Sequence, residues 1–251
     1  MRRFLHRSGR FAALALTLSA LAFAGPAARH ARAQQSGPGF RGSAPSTVYG
    51  PVNLHAGLVV LHGRHNGTAN FSAELITQDP DNPVSVAQAP DSAWKDLYPL
   101  FNIIGRFDGS AAVIVKTDGE YYLHVGFASG PYELTLTQPS PAGAAPVDQR
   151  SFSGKDQQVT PAFRLAAGTI TLTATSDNST FRLWLYYLDD LGGGTVTTPD
   201  SVYDGRIIDT SFNAVHSDTT TVSVDIPANG VYLIYADPDG SGSGTWSVTI
   251  Q

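Results

Sequence analysis

The chain has 251 residues, a formal net charge of −5 and no cysteine. Beyond its N-terminal leader it has no cluster of Lys or Arg, which argues against nucleic acid or an anionic membrane surface as a partner. A chain of this length can bury two cores without cross-links, so its stability has to come from packing rather than from disulfides.

Residues 1–33 have the pattern of a signal peptide. A basic start with Arg2 and Arg3 precedes an apolar run from Phe11 to Gly25, and Ala31-Arg-Ala33 supplies a small-x-small cleavage site. The apolar run is short for a bilayer span, so we expect no membrane span in the mature chain. The sequence predicts cleavage near Ala33 and a secreted protein, either extracellular or associated with the periplasm and envelope.

Two segments rich in Gly, Ser, Pro and Ala divide the remaining chain. Residues 34–46 lack apolar periodicity and are expected to form a flexible leader. Residues 139–150 have the composition of a semi-rigid linker. The predicted domains are therefore residues 47–138, called copy one here, and residues 151–251, called copy two.

The two copies repeat short motifs in the same order, about 110 residues apart. A duplicated domain is the economical explanation. The matching segments are Leu54-His-Ala-Gly57 with Leu165-Ala-Ala-Gly168, Pro90-Asp91-Ser92 with Pro199-Asp200-Ser201, Phe101-Asn102 with Phe212-Asn213, and Gly119-Glu-Tyr121 with Gly230-Val-Tyr232.

Each copy consists of short alternating segments separated by Gly, Asn, Asp and Pro turns, which is the all-β pattern. No stretch keeps a helical period. The pattern predicts two tandem antiparallel β-sandwiches of a jelly-roll-like kind. The side chains expected in the cores are Phe71, Ala73, Leu75, Tyr121, Leu123 and Val125 in copy one, and Phe181, Leu183, Leu185, Tyr232, Ile234 and Ala236 in copy two, with Trp94 and Trp246 also assigned to cores.

Copy two resembles a known family of small domains. The segments that carry the resemblance are Phe152-Ser-Gly-Lys155, Val159 to Gly168, Phe181-Arg-Leu-Trp-Leu185, Gly230-Val-Tyr-Leu233 and Trp246-Ser-Val-Thr-Ile250. They are similar to the β-sandwich accessory domains of bacterial secreted proteins, of the pre-peptidase C-terminal type. The resemblance covers copy one more loosely, since copy one lacks the opening Phe-Ser-Gly segment. It implies a non-catalytic domain of the kind implicated in binding a substrate or a surface.

Catalytic motifs are missing from the sequence. There is no Gly-x-Ser-x-Gly elbow, no His-Glu-x-x-His, no phosphate-binding glycine loop and no Cys nucleophile. We therefore expect a protein that is not an enzyme, with an active site assembled only by the fold as the alternative.

Histidines are concentrated in copy one. His55, His62 and His65 lie close together in sequence, and His124 follows on a later predicted strand. Alternation predicts that His62 and His124 point outward. They could be solvated strand residues, or they could bind Zn, Cu or Ni.

Acidic turns suggest calcium as a second metal. Asp237 and Asp239 begin a Gly-rich turn, and Asp79-Pro-Asp81-Asn82 forms another acidic segment. Each supplies only two or three oxygen ligands, whereas calcium takes six to eight. These turns are either ordinary turns or, for Asp237 and Asp239 in particular, a structural calcium site.

An aromatic strip gives the sharpest functional hint. With Leu183 and Leu185 inward, Trp184 and Tyr186 project from the opposite face of their strand, and alternation places Tyr235 outward as well. Copy one has Glu74 and Ile76 where copy two has Trp184 and Tyr186. An exposed strip of this kind could stack on sugar rings or anchor a protein, whereas a covered strip would be an interface between the copies.

The sequence thus predicts an exported, non-catalytic tandem β-sandwich protein. The expected ligand is a glycan or a cell-envelope polymer, bound through Trp184, Tyr186 and Tyr235. The alternative is a structural or protein-interaction module in which these aromatics form a domain or oligomer interface. No cofactor is expected apart from a possible structural calcium ion.

Overall fold

The computed structural model describes residues 35–78, 94–177, 181–189, 206–212, 219–238 and 244–251. The predicted signal peptide lies outside these residues. The described residues belong to one compact unit and contain strands and turns. No apolar helix long enough to cross a bilayer occurs among them.

Copy one, now extended at its N-terminus to include residues 35–46, contributes eight strands to the described structure. They form two antiparallel sheets of four strands each: sheet A has the order β1-β8-β3-β6, and sheet B has the order β2-β7-β4-β5. The strands are β1 (Gln35–Gly42), β2 (Thr47–Leu54), β3 (Gly57–His65), β4 (Asn70–Gln78), β5 (Trp94–Ile104), β6 (Phe107–Val115), β7 (Gly119–Phe127) and β8 (Tyr132–Gln138).

Copy two repeats this arrangement in the described residues. Sheet C has the order β10-β16-β13-β14, with β11 also paired to β16, and sheet D has the order β15-β12-β17-β9. Sheet C is thus equivalent to sheet B, and sheet D to sheet A. The strands are β9 (Ser151–Lys155), β10 (Gln158–Val159), β11 (Phe163–Leu165), β12 (Gly168–Ser176), β13 (Phe181–Tyr187), β14 (Arg206–Phe212), β15 (Thr220–Ile226), β16 (Gly230–Pro238) and β17 (Thr245–Ile250).

The two predicted sets of period-2 core residues are confirmed. In copy one, Phe71, Leu75 and Leu123 lie in one buried cluster. Their equivalents in copy two, which include Phe181 and Leu185, lie in a second cluster. These residues meet between the two sheets of their own sandwich, because inward side chains of facing strands converge there. The first cluster also continues beyond the sandwich of copy one, since it includes Tyr186 and Tyr235 of copy two.

The two cores also share an aromatic contact at the same place. The ring of Trp246 stacks on Phe181 with centroids 6.3 Å apart, and Tyr132 packs on Phe71 at 5.6 Å. Trp246 is therefore a core residue, as predicted. The side chain of Trp94, assigned to the other core, lies outside the described residues.

The expectation of a flexible leader over residues 34–46 is wrong. Gln35–Gly42 forms β1, which pairs with β8 and places Phe40 opposite Leu134. Copy two has Phe152 opposite Val248 at the equivalent position. Gly39-Phe40-Arg41-Gly42 is thus the counterpart of the Phe-Ser-Gly segment that copy one was expected to lack. Gly and Pro are rare in strands, so the composition of this segment does not predict a strand or the burial of Phe40.

The segment over residues 139–150, predicted to be a semi-rigid linker, is tied to both copies. Ala144 N–H donates to the carbonyl of Ser140, and Ala144 packs against the core of copy one. Val147 N–H donates to the carbonyl of Ala162, and Val147 packs against the core of copy two. This connection therefore holds the two sandwiches close together.

Candidate functional site

The aromatic strip of copy two lies on the outer face of sheet C. Trp184 on β13 pairs with Tyr235 on β16, and their rings stack with centroids 4.7 Å apart and planes 13° from parallel. Tyr186 follows on the same face of β13. As predicted, all three side chains point away from the core of copy two.

Of the two alternatives that the sequence left open, the covered strip applies to Tyr186 and Tyr235. Tyr186 is 3% exposed and Tyr235 is 6% exposed, and both belong to the buried cluster of copy one. Trp184 is half-buried and packs against that cluster. Burial, with a smaller contribution from the charge of Asp237, raises the pKa of Tyr235 well above its usual value, so its hydroxyl stays protonated.

The surface that covers the strip is the outer face of sheet A. Leu58 and Val60 on β3 point away from the core of copy one, and Val60 pairs with Ala112 on β6. All three are buried in the same cluster as Tyr186 and Tyr235. Sheets A and C therefore pack through their outer faces, which is the interface between copies that the sequence left open.

Two hydrogen bonds close one edge of this interface. Ser110 N–H on β6 donates to the carbonyl of Gln157 over 2.9 Å, and Val159 N–H on β10 donates to Ser110 Oγ over 2.7 Å. Gly109 permits the approach, because a Cβ atom there would collide with the Gln157 carbonyl. Copy two is therefore joined to an edge strand of copy one by backbone contacts as well as by apolar packing.

An open pocket of about 370 Å³ lies beside these hydrogen bonds. Its floor is the polar end of the outer face of sheet A, and its wall comes from β10 of copy two. Both copies thus supply its lining, which consists of His62, Gly63, Arg64, Asp108, Gly109, Ser110, Glu133, Thr135, Gln158 and Val159.

Strand register arranges the pocket floor in rows across sheet A. His62 on β3 lies between Ser110 on β6 and Thr135 on β8. The next row contains only charged residues of alternating sign. It runs through Asp108, Arg64, Glu133 and Arg41 on β6, β3, β8 and β1.

Each positive side chain in this row lies close to a negative one. Arg64 Nε lies 3.7 Å from Asp108 Oδ2, and Arg41 Nε lies 3.4 Å from Glu133 Oε1. All four side chains are solvent-exposed, so each pair contributes little to stability. Their importance is that carboxylate acceptors and guanidinium donors lie side by side along the pocket.

His62 is the predicted histidine that lines the pocket. It points outward, as alternation predicted, and part of its ring is exposed. Partial burial lowers its pKa, so the neutral imidazole, with one donor and one acceptor nitrogen, is favoured near neutral pH.

The structure places the other three histidines apart. His55 is exposed beside Asp118. His65 is fully buried, stacks on Phe71 and bonds through Nδ1 to the Gly105 carbonyl over 2.8 Å. His124 points outward from sheet B, and its Nδ1 lies 2.7 Å from Glu74 Oε1. The histidines therefore do not converge on a metal.

The predicted calcium ligands are only partly described. Asp237 lies on β16 opposite Arg182 and is 5% exposed, so its carboxylate belongs to the buried face of sheet C rather than to an open turn. Asp239, Asp79 and Asp81 lie outside the described residues. Within the described residues, no three His, Cys, Asp or Glu side chains are grouped to hold a metal ion.

Sequence reasoning identified His62 but missed the rest of the pocket. Alternation along Tyr132-Glu-Leu-Thr-Leu136 could have placed Glu133 and Thr135 outward, since their neighbours are core residues. Gln158 and Val159 gave no signal, because their arrival at sheet A depends on how the copies dock.

No family model and no curated protein sequence matches the chain. Among solved structures, it is similar to the tandem CBM22-1-CBM22-2 domains of Xyn10C from Paenibacillus barcinonensis, with 8% identity, 84% of this chain and 86% of that chain covered, and a TM-score of 0.26. The exported protein XepA of PBSX gives 8% identity, 90% and 89% coverage, and a TM-score of 0.26. PA5104 from Pseudomonas aeruginosa PAO1, a conserved protein of unknown function, gives 10% identity, 82% and 75% coverage, and a TM-score of 0.19.

Similarities at these identities and TM-scores carry no argument about function. The resemblance to pre-peptidase C-terminal domains consequently rests on the sequence segments of copy two alone.

Proposed function

We propose that this chain is an exported, non-catalytic binding protein that engages a glycan or another cell-envelope polymer through the pocket between its two sandwiches. The observation that carries the proposal is the pocket itself, which is concave, open and lined by polar groups of both copies. Concave sites with a few convergent polar groups are the usual places where proteins bind small ligands or single units of a polymer.

The lining suits a ligand rich in hydroxyl groups. A hydroxyl both donates and accepts hydrogen bonds, so it pairs well with a surface on which donors and acceptors alternate. Asp108 and Glu133 can accept, Arg64 and the Gln158 amide can donate, and Thr135 can do either. The open mouth lets a chain end enter while the rest of the polymer stays in solvent.

Export is supported by the N-terminal sequence and by the position of β1. Cleavage near Ala33 would leave Gln35–Gly42 intact, so the mature chain would keep the edge strand that pairs with β8. The lack of Cys is compatible with an oxidising compartment, because each sandwich has a packed core. The resemblance of copy two to secreted accessory domains supports the same location and a role without catalysis.

The proposal is tested by calorimetric titration of the mature protein against a panel of defined oligosaccharides. His62→Ala should weaken binding of any retained glycan by about fivefold, since one lost hydrogen bond is worth roughly 1 kcal/mol. Thr173→Ala is the matched control, because Thr173 on β12 of sheet D occupies the equivalent position in copy two and should leave binding unchanged. Equal losses in both variants, or no binding across the panel, would contradict the proposal.

A structural role without a small ligand is the second candidate. The burial of Tyr186 and Tyr235 between the copies favours it, because the strip first assigned to ligand binding is used to join the two sandwiches. On this alternative the protein is a rigid two-domain spacer that contacts other envelope proteins. A negative glycan panel, together with specific cross-linking to an envelope protein at sheet B or sheet D, would favour this candidate.

A further inference from the structure

The charge pattern around the pocket restricts which ligands can enter it. Two carboxylates, Asp108 and Glu133, belong to the lining, whereas Arg64 is the one permanent cation among the described lining residues. Arg64 is already paired with Asp108 and has Glu133 on its other side. Its charge is therefore held by carboxylates, and an incoming anion would have to compete with them.

Neighbouring groups add no net positive charge to this site, since Lys155 lies beside Asp156. Asp156, in the turn between β9 and β10, is 8% exposed, and desolvation raises its pKa while Lys155 opposes the shift. The charge of Asp108 also raises the pKa of Asp156, so the two carboxyl groups sense each other. His62 adds no positive charge near neutral pH, since partial burial lowers its pKa.

We infer that the pocket selects an uncharged sugar unit and rejects an acidic one such as a uronate. This inference deepens the proposed function and rests on it. A neutral polyol can donate hydroxyl hydrogens to Asp108 and Glu133 without a repulsive partner. The carboxylate of an acidic sugar would instead lie beside Asp108 and Glu133. It could reach a guanidinium group only by displacing one of these carboxylates from its arginine partner, at the cost of both repulsion and desolvation.

The size of the pocket agrees with a short recognition element. A volume of about 370 Å³ lies at the small end of the range for ligand sites, roughly 300–1,000 Å³, which suits one or two sugar rings rather than a long segment. Recognition of so few rings depends on polar contacts, because the large aromatic side chains of sheet C are buried elsewhere.

The test compares neutral oligosaccharides with uronate oligosaccharides of the same length and linkage, titrated calorimetrically at low ionic strength. The neutral series should bind about tenfold more tightly or better, and added salt should narrow the gap because it screens exposed charges. The double variant Asp108→Asn with Glu133→Gln should bring the two affinities together. Asp225→Asn is the control, since Asp225 is an exposed acid on β15 of sheet D and its loss should leave the ratio unchanged.

The pH dependence of this preference for neutral sugars supplies a second measurement on the same samples. The pKa of His62 lies below its ordinary value of about 6.5. Lowering the pH through this pKa adds a positive charge to the pocket floor and should reduce the preference for neutral sugars. The groups that face this site and set the background are Arg41, Arg64, Asp108, Glu133, Lys155 and Asp156. In His62→Gln, the preference for neutral sugars should no longer change between neutral pH and the pKa of His62.

The outcomes separate the inference from the function on which it rests. Tighter binding of the uronate series, or equal binding with no effect of the double variant, overturns the selectivity but leaves a glycan-binding pocket in place. No binding by either series overturns both. A preference for the neutral series that persists unchanged in the double variant also overturns the inference, because the carboxylates would then not be its cause.

Discussion

Sheets B and C occupy the same position in the two copies and carry different side chains at one cross-strand pair. In sheet B, Glu74 lies opposite His124 and their side chains form a hydrogen-bonded pair at 2.7 Å. In sheet C, the equivalent residues Trp184 and Tyr235 stack at 4.7 Å. The fold accepts either pair, so the choice between them reflects what covers each sheet.

Sheets A and D show the same contrast on their outer faces. Leu58 and Val60 of sheet A are buried against copy two. Their counterparts in sheet D are Thr169 and Thr171, which are exposed or half-buried. Thr221, Thr173, Thr249 and Ser151 even form one continuous row of hydroxyls across the four strands of sheet D.

The faces that pack between the copies therefore differ in polarity from the other two outer faces. Sheet C docks on sheet A because both faces are apolar, whereas the equivalent outer faces of sheets B and D carry the Glu74–His124 pair and the hydroxyl rows. In stacked repeat proteins, terminal units likewise keep a polar outer face, which is needed for solubility.

The largest loss of stability is expected when the polar pair of sheet B is introduced into sheet C. Trp184→Glu with Tyr235→His places the polar pair in the buried interface, and we expect at least ~4 kcal/mol of destabilisation from lost packing and buried charge. Denaturant unfolding should then split into two transitions, one for each sandwich. An unchanged single transition would show that the A–C interface does not couple the copies.

The reciprocal exchange, Glu74→Trp with His124→Tyr, is the matched control. It places an aromatic pair on the outer face of sheet B, so it should preserve the fold but promote self-association, measured by sedimentation velocity over a concentration series. A sedimentation coefficient unchanged from that of the parent protein would show that the polarity of this pair does not limit self-association.

The close approach of β6 and β10 is tested next by Gly109→Ala. The added Cβ would collide with the Gln157 carbonyl, and relieving this overlap should cost about 1–3 kcal/mol and weaken glycan binding at the adjoining pocket. Gly119→Ala is the control, because its Cβ would meet nothing within 4 Å. Similar unfolding midpoints for the two variants would contradict this close backbone contact.

A smaller loss is expected from Ser110→Ala. This change removes the acceptor for Val159 N–H and should cost about 1 kcal/mol in the free energy of unfolding. Hydrogen exchange should show faster exchange of the Val159 amide, with little change at Ile234, whose N–H donates to Thr160 instead. If the exchange of Val159 stays slow, the hydrogen bond does not form in solution.

The smallest change in stability is expected at Asp156, which adopts a left-handed backbone with φ of 63°. The pKa of Asp156 is raised because burial disfavours the charged carboxylate in the folded state. Asp156 therefore lowers the free energy of unfolding at pH values above its folded pKa. This loss of stability disappears as the pH falls through that pKa. Asp156→Asn keeps a residue that tolerates this backbone and should slightly raise the thermal midpoint at pH 7. The gain should disappear in acid, and a gain that persists there would point to another cause.

Much of each sandwich was predictable from the sequence. Alternation along Phe181-Arg-Leu-Trp-Leu185 fixed which side chains face the core, and it also placed Trp184 on the opposite face correctly. The first strand was missed because Gly and Pro surround Phe40, and only its pairing with β8 shows that Phe40 is anchored. The pocket was missed because its lining comes from strands that are far apart in sequence.

The sequence by itself determined that the chain contains two similar all-β domains and which residues fill their cores. Those properties follow from local alternation and from the repeat, and they do not depend on the neighbouring domain. Only the tertiary structure decided whether an outward side chain is exposed. Alternation gives the direction of Tyr235, but its burial depends on the face of sheet A that lies against it, and that contact joins residues more than a hundred positions apart in the chain.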